Sequence, residues 1–158
     1  MIEENSFEQK IRELIEAYIH IKVVKKIEKH TKKELPNEAI GFLIGRCFSW
    51  NRKKYTLVKD SIPLKSIATE VEVEPLEGAL APAIYKYFKS KKEDIIVGWY
   101  HSHPNYGCFL SKTDIISHMK YFTQDYHIAL VYDPIRDELD LFKVINGKVK
   151  NIIFAIYK

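Results

Sequence analysis

The chain has 158 residues, 46% of them apolar and 29% charged, which fits one globular domain with a continuous core. Its net charge of +4 is too small to indicate a nucleic-acid-binding protein by itself. The polar N-terminus has no apolar signal segment, and no apolar run reaches the roughly 18 residues that a membrane span needs. The two cysteines, Cys47 and Cys108, form no CxxC motif, so we expect a cytosolic protein.

Periodicity and turn signals predict an α/β domain with a mixed sheet flanked by helices on both sides. Ser6 with Gln9 resembles a capping box, Pro82 suits a first helical turn, and Asn146-Gly147 suits a hairpin turn. In chain order the predicted elements are a helix at 6–18, a strand at 19–21, a helix at 22–33, strands at 39–48, 55–59 and 69–74, a helix at 82–90, a strand at 95–100, a helix at 112–122, and strands at 127–132, 138–145 and 149–157.

Two histidines follow the predicted strand 95–100 directly. His101 and His103 are two residues apart, so on an extended segment their side chains point to the same side and can reach one ion. Asp114, one turn inside the next predicted helix, can turn its carboxylate back toward them. Two histidines and one carboxylate leave a fourth tetrahedral position for water, which is typical of a catalytic zinc site.

Simpler structural explanations exist for the same residues. An HxH pair alone is weak evidence for a metal site. Ser111 and Asp114 also form an S-x-x-D capping signature at a helix start. A serine at a helix N-terminus can both cap the helix and face a substrate, so the two interpretations are compatible.

The combination of these motifs resembles a known family. Glu38, then His101-Ser-His103-Pro104, then Ser111-Lys-Thr-Asp114 is similar to the JAMM motif of the MPN-domain metalloproteases, in the form found in the proteasome lid and the signalosome. The segment 36–45 resembles the family's glutamate-bearing strand, and 133–135 falls where the family has a similar tripeptide. The resemblance covers roughly residues 18–157. It implies one MPN domain of the cytidine-deaminase-like type, with a mostly antiparallel curved sheet, and residues 1–17 as a helical extension.

The resemblance also implies a role for each motif residue. His101, His103 and Asp114 would bind Zn²⁺, Glu38 would be the general base, and Ser111 would stabilise the oxyanion. The chemistry of zinc-dependent hydrolysis requires such groups whatever the family. A carboxylate that is not a ligand must transfer the proton, and a fixed hydrogen-bond donor must stabilise the negative charge that develops on the carbonyl oxygen. Glu38 opens an otherwise apolar run, and this position favours a functional role over a solvated one.

The alternating segment 69–74 predicts a half-exposed strand whose outward side is acidic. Charged edge strands commonly serve to prevent aggregation. In JAMM deubiquitinases, however, the corresponding insertion pairs with the extended tail of the modifier, and strand addition suits such binding. The resemblance therefore gives a candidate substrate-binding set: Glu70, Val71, Glu72, Val73 and Glu74.

The resulting hypothesis is a zinc isopeptidase that cleaves after the Gly-Gly tail of a ubiquitin-like protein. Its expected partners are ubiquitin or a ubiquitin-like modifier, its conjugates, and a proteasome-related assembly, with no membrane or nucleic acid. Three alternatives stay open: a non-catalytic MPN scaffold, a peptidase that trims a sulfur-carrier protein or small peptide, and a nucleic-acid-linked member of the fold. The zinc deaminases are excluded because the chain has no H-x-E followed by P-C-x-x-C. The compact organisation favours a prokaryotic type of homologue.

Other residues give weaker signals. His118 lies one turn beyond Asp114, where a core histidine is favoured over a ligand. Cys108 lies between the candidate ligands and is interpreted as structural. No partner is evident for three further histidines, and six lysines of the second helix are expected on a solvated face. These residues are His20, His30, His127, Lys22, Lys25, Lys26, Lys29, Lys32 and Lys33.

Overall fold

The computed structural model describes residues 2–64, 85, 87–89 and 93–158. The expected strand 69–74 lies outside these residues, as does most of the expected helix 82–90. No helix in the described part is both long and apolar enough to cross a membrane. The elements are α1 (Ile2–Leu14), β1 (Ile15–His20), α2 (Ile21–Glu34), β2 (Ile40–Trp50), β3 (Lys53–Leu64), β4 (Ile95–Ser102), α3 (Lys112–Tyr121), β5 (Ile128–Asp133), β6 (Glu138–Ile145), β7 (Lys148–Asn151) and β8 (Ile153–Tyr157).

The eight strands form one sheet in the order β7-β6-β5-β4-β2-β3-β1-β8. The pairs β1–β3, β1–β8 and β4–β5 are parallel, and the other four neighbouring pairs are antiparallel. β7 and β8 lie at opposite ends of this order, yet only Ile152 separates them in the chain. Because one residue spans little more than 3 Å, the sheet must curl until its two edges approach each other. The mixed, curved and mostly antiparallel sheet that we predicted is therefore confirmed.

The sheet buries a separate apolar cluster on each face. Along β4, Trp99 and Tyr100 alternate between the two, as successive residues of a strand must. α2 covers one face through Val23 and Ile27. α3 and the segment before it cover the other face, where Leu110 joins the same cluster as Trp99. The predicted helices on both sides of the sheet are thus present.

The N-terminal elements differ from the prediction. α1 begins at Ile2 and ends at Leu14, well before the predicted helix end at Tyr18. β1 covers residues 15–20, so it begins four residues before the strand that we predicted at 19–21. Ala17 and Ile19 are fully buried between two parallel neighbours, so pairing on both sides outweighs the helical spacing of the apolar residues. The predicted helical extension over 1–17 is therefore too long by the residues that enter the sheet.

The C-terminal strand also differs. We expected one strand over 149–157, and the structure has β7 and β8. The break falls at Ile152, which is 2% exposed and whose N–H donates to the Leu141 carbonyl at 2.9 Å. Burying this side chain turns the chain from one edge of the sheet to the other.

Candidate metal centre

The three predicted ligands lie at the carboxyl end of β4. His101 is the penultimate residue of that strand, and His103 follows its end. The His103 N–H donates to the Tyr132 carbonyl at 3.1 Å, which continues the parallel pairing of β4 with β5 and fixes the backbone between the two histidines. Asp114 lies in the first turn of α3 and is turned back toward them. Strand alternation and the return of the helix thus bring the three side chains together, as the sequence predicted.

The donor atoms of these side chains converge on one point. His101 Nε2 lies 3.1 Å from His103 Nε2. Asp114 Oδ2 lies 3.3 Å from His101 Nε2 and 3.6 Å from His103 Nε2. In the described part of the chain this is the group of histidine, cysteine and acidic residues placed to hold a metal ion.

The geometry fits a small tetrahedral cation. Two ligands that each lie ~2.0–2.2 Å from a tetrahedral centre are separated by roughly 3.3–3.6 Å, close to the three separations observed. Two imidazole nitrogens and one carboxylate oxygen are also ligands that zinc prefers, whereas magnesium and calcium take oxygen ligands. Three protein ligands leave a fourth position for water or substrate.

The electrostatics of the three side chains are those of a buried charged cluster. His101, His103 and Asp114 are only 3%, 5% and 9% exposed, so each needs a partner for its polar atoms. Burial raises the pKa of Asp114, but hydrogen bonding to both histidines outweighs it and the net pKa is lowered. Burial lowers the pKa of His103, but the Asp114 carboxylate and then the charge of Glu38 outweigh it and the net pKa is raised. Asp114 is therefore an ionised carboxylate, and its negative charge favours a positive charge placed between the two imidazole rings.

Glu38 lies beside this cluster without belonging to it. Ile40 pairs with His101 in the antiparallel β2–β4 ladder, and the Ser102 N–H donates to the Ala39 carbonyl at 2.9 Å. The same register places Glu38 opposite His103, and its charge is close enough to raise the pKa of that histidine. Glu38 is half-buried at this position. Glu38 therefore lies next to the donor cluster but is not one of its three members.

Ser111 is the N-cap of α3. Its Oγ accepts the Asp114 N–H at 3.1 Å, and its own N–H donates to Asp114 Oδ2 at 2.7 Å, which completes the predicted capping box. The oxygen that faces the histidines is thus also held by the Ser111 backbone. A hydroxyl that accepts one hydrogen bond still carries its own O–H donor. Capping therefore leaves Ser111 able to donate to a substrate oxygen.

Asp133 holds the segment between the ligands, a role that our sequence reasoning did not assign. It is fully buried at the end of β5, and its carboxylate accepts the N–H groups of Asn105 and Gly107 at 2.9 and 2.8 Å. It also accepts those of Ile135 and Arg136, at 2.9 and 3.1 Å. Burial raises the pKa of Asp133, but these donors outweigh it and lower the pKa to about 2. The tripeptide 133–135 was the feature of the sequence that pointed to this role, because an aspartate at the end of a buried strand needs hydrogen-bond donors for its carboxylate.

Gly107 explains how the same segment turns. Its φ is +81°, in the left-handed region that residues with a Cβ rarely adopt, and a Cβ there would lie 3.3 Å from the Arg136 guanidinium. This conformation points the Gly107 N–H at the Asp133 carboxylate.

Ser102, between the two histidines, was also missed. It is fully buried and points to the opposite face, and its Oγ accepts the Ala39 N–H at 2.8 Å. This bond ties the segment that carries Glu38 to the strand that carries the ligands. The signal was a serine in a buried strand, since a buried hydroxyl needs a hydrogen-bond partner.

Aromatic rings pack against both histidines. Trp99 stacks on His101 with ring centroids 4.5 Å apart and planes 12° from parallel. Phe109 packs on His103 at 4.6 Å. His118 accepts the Trp99 indole N–H at Nδ1, at 3.0 Å, and is 2% exposed. It is thus the core histidine that the sequence favoured.

The remaining predicted residues have structural partners. The Cys108 thiol donates to the Val131 and Glu138 carbonyls, each at 3.3 Å, and burial raises its pKa to about 11, which suits the structural role that we expected. Nδ1 of His20 accepts a backbone N–H in the N-cap of α2, and Nδ1 of His127 accepts the Gln124 N–H. His30 Nδ1 lies 2.9 Å from the Tyr100 hydroxyl oxygen. The six lysines of α2 are exposed. The candidate set 70–74 lies outside the described residues.

The chain is similar to subunits of two large assemblies. It is 31% identical over 138 residues to the 26S proteasome non-ATPase regulatory subunit 14 of Caenorhabditis elegans, which covers 82% of this chain and 43% of that protein. It is 31% identical to ubiquitin carboxyl-terminal hydrolase RPN11 of Saccharomyces cerevisiae, with 82% of this chain and 44% of that protein covered. The COP9 signalosome complex subunit 5 of Debaryomyces hansenii is 32% identical, with 77% and 26% covered. The chain thus spans less than half the length of these relatives.

A solved structure and a family model agree with these similarities. The solution structure of protein DSY2949 from Desulfitobacterium hafniense has the same fold, with a TM-score of 0.68 at 19% identity, over 90% of this chain and 93% of that one. Residues 13–126 match the model of the JAB1/Mov34/MPN/PAD-1 ubiquitin protease family. This match covers most of the chain, including Glu38, Ser111 and the three candidate ligands. The chain therefore belongs to the JAB1/Mov34/MPN/PAD-1 ubiquitin protease family.

Proposed function

We propose that this protein is a zinc-dependent isopeptidase that hydrolyses the bond after the Gly-Gly tail of a ubiquitin-like protein. The observation that carries the proposal is the convergence of His101, His103 and Asp114 within 4.8 Å, with Glu38 beside them. Relatives named as a ubiquitin hydrolase and as subunits of the proteasome and the COP9 signalosome support the substrate class and a proteasome-related partner.

His101, His103 and Asp114 would hold the ion through two nitrogens and one oxygen. Zinc, when bound at such a site, supplies Lewis acidity and a water of lowered pKa. The segment 105–107, anchored to Asp133, keeps the two histidine positions and α3 at a fixed separation. Preorganised ligands need no rearrangement when the ion binds, which favours affinity.

Glu38 would transfer the proton, and Ser111 would stabilise the developing negative charge. Glu38 lies opposite His103, so its carboxylate can take the proton of the attacking water and later hand it to the leaving lysine amine. The Ser111 hydroxyl, oriented by the Asp114 N–H, would donate to the carbonyl oxygen as negative charge develops there. Both residues are tied to the ligand positions, Glu38 through Ala39 and Ser102, and Ser111 through Asp114.

The substrate tail would add as a strand beside the segment 69–74. Strand addition supplies affinity through the backbone, while the glutamates of this segment would favour a basic tail. A tail that passes over the ion in a narrow groove leaves no room for a β-carbon, which accounts for a Gly-Gly requirement. The support for this part of the proposal is the alternating pattern of the sequence, since the segment itself lies outside the described residues.

The test compares two fusions, one with a ubiquitin-like tail that ends in Gly-Gly joined to lysine and one that ends in Ala-Ala. We expect the wild type to cleave the first and to spare the second. Glu38→Gln is the matched control, because it keeps the size of the side chain and removes the base. It should retain about one zinc per chain while its turnover falls ~10²–10⁴-fold. Wild-type kcat in Glu38→Gln would exclude this base, and equal kcat/KM for both fusions would exclude the tail-binding model. A wild type that binds zinc and cleaves neither fusion would contradict the proposed substrate class.

A further inference from the structure

The plane of the His101 ring sets the direction in which its Nε2 points. A metal-binding histidine usually donates the N–H of its second ring nitrogen to a carboxylate, carbonyl or water, which fixes the plane of the ring. Among the described residues, His101 Nδ1 is buried and has no hydrogen-bond partner. No described protein group orients the ring through Nδ1, so we consider its packing contacts.

The stacked indole supplies one such contact. The Trp99 ring lies parallel to the His101 imidazole, to within 12°, and its plane is also within 13° of Phe122, at 6.0 Å. His101 is therefore the outermost ring of a stack of three. Trp99 is 4% exposed, so the indole is held inside the protein. A parallel stack restrains the tilt of the imidazole, and with it the line along which Nε2 points.

His118 determines where the indole lies. Its Nδ1 accepts the Trp99 N–H at 3.0 Å, in a buried position. Asp114, His118 and Phe122 follow one another at intervals of four residues, so they share one face of α3 and its C-cap. The helix that carries the carboxylate ligand thus also orients the first histidine ligand, through the indole.

We infer that His118 is a positioning residue for the metal centre, because its bond to the Trp99 N–H fixes the indole on which His101 stacks. This inference rests on the proposed function only in assuming that the centre binds zinc. Burial, and then the charge of His127, lower the pKa of His118 to about 4. The ring therefore stays neutral near pH 7 and keeps the lone pair that the bond requires.

The test measures zinc affinity of metal-free protein by competition with a chromophoric chelator, together with the absorption spectrum after loading with Co²⁺. His118→Leu removes the acceptor and should weaken zinc binding roughly 10–100-fold and alter the Co²⁺ spectrum. His118→Gln offers a carbonyl oxygen in its place and should restore both. His127→Leu is the matched control, because His127 packs on Phe122 but accepts its bond from Gln124. It should bind zinc as the wild type does.

A double-variant cycle tests whether the effect passes through the indole. Trp99→Phe keeps a ring beside His101 but lacks the N–H, so adding His118→Leu to it should cost no further affinity. Unchanged affinity in His118→Leu, an equal loss in His127→Leu, or a full further loss in the Trp99→Phe background would each overturn the inference. A wild type that binds no zinc would instead reject the proposed function.

Discussion

The two faces of the sheet differ in the kinds of side chain that they bury. Under α2 the core is mainly aliphatic, with Val23 and Ile27 packed on residues such as Leu43. On the other face, His101 and His118 are buried against aromatic rings, and Asp114 is buried beside His101. Both faces share the strand β4, so the difference arises from alternate residues of one segment.

The charges of α2 make the contrast sharper. The helix contains six lysines and two glutamates, so its formal charge of +4 equals that of the whole chain. The lysines lie on the exposed side, and some pair there, as Lys26 does with Asp60 and Lys32 with Glu28. α2 thus keeps its charges in water, where they cost little, while the site on the other face desolvates charge and holds it in place with neighbours. The second arrangement is typical of functional sites.

Removing a ligand should have the largest effect. His101→Ala, His103→Ala or Asp114→Ala leaves two donors, which hold zinc poorly, so both bound zinc and hydrolysis should be lost. Metal analysis of purified protein and a peptide-cleavage assay measure the two. A chelator should abolish wild-type hydrolysis, and added zinc should restore it. Full zinc occupancy in the His101→Ala/His103→Ala double variant would contradict the assignment.

Ser111→Ala should come next. Zinc should stay bound, while the rate should fall roughly 10²–10³-fold, the usual loss for one oxyanion donor. The same change removes the cap of α3, which costs about 1 kcal/mol of stability. Measuring kcat and the free energy of unfolding on the same sample separates the two contributions. A variant that loses stability alone would show that Ser111 only caps the helix.

Acid should lower the stability of the folded protein through His118. An exposed histidine in the unfolded chain has a pKa of ~6.5, whereas burial and then the charge of His127 lower that of His118 to about 4. Above pH 6.5 the ring is neutral in both states, and its contribution to stability is complete. As the pH falls toward 4, His118 becomes protonated in the unfolded chain but stays largely neutral in the folded protein. The free energy of unfolding should therefore fall by about 3 kcal/mol.

Urea unfolding of metal-free wild type and His118→Gln between pH 7 and pH 4 measures this effect. The difference between the two proteins should grow steadily as the pH falls. Parallel pH dependence would mean that His118 is not the group responsible.

Substitutions on the exposed side of α2 should have the smallest effect on zinc binding and turnover. Reversing Lys22, Lys25 and Lys29 to glutamate alters the exposed side of α2, where substitutions usually change stability by less than about 0.5 kcal/mol. Zinc content and kcat/KM on a short uncharged peptide should stay at wild-type values. A large fall in kcat/KM would show that the α2 face takes part in substrate binding, which would end the contrast between the two faces.

The sequence predicted the site better than it predicted the edges of the sheet. His101 and His103 converge because the period of a strand is two, a rule that needs no tertiary information. The start of β1 and the division between β7 and β8 were missed because they depend on partners that are distant in sequence, and helical spacing in residues 7–18 misled the prediction. Trp99 was classed with the buried strand, since its stacking on His101 becomes visible only once both side chains are placed.

The pairing of β1 with β8 also bears on how the protein forms. Ala17 lies beside Phe154, so β1, an inner strand of the sheet, pairs with a segment that is synthesised much later. Contacts between such distant segments form late and slow the search for the native state. During synthesis, one side of β1 would stay without its neighbour until β8 emerges, and a nascent chain shortened before residue 153 should remain dependent on chaperones.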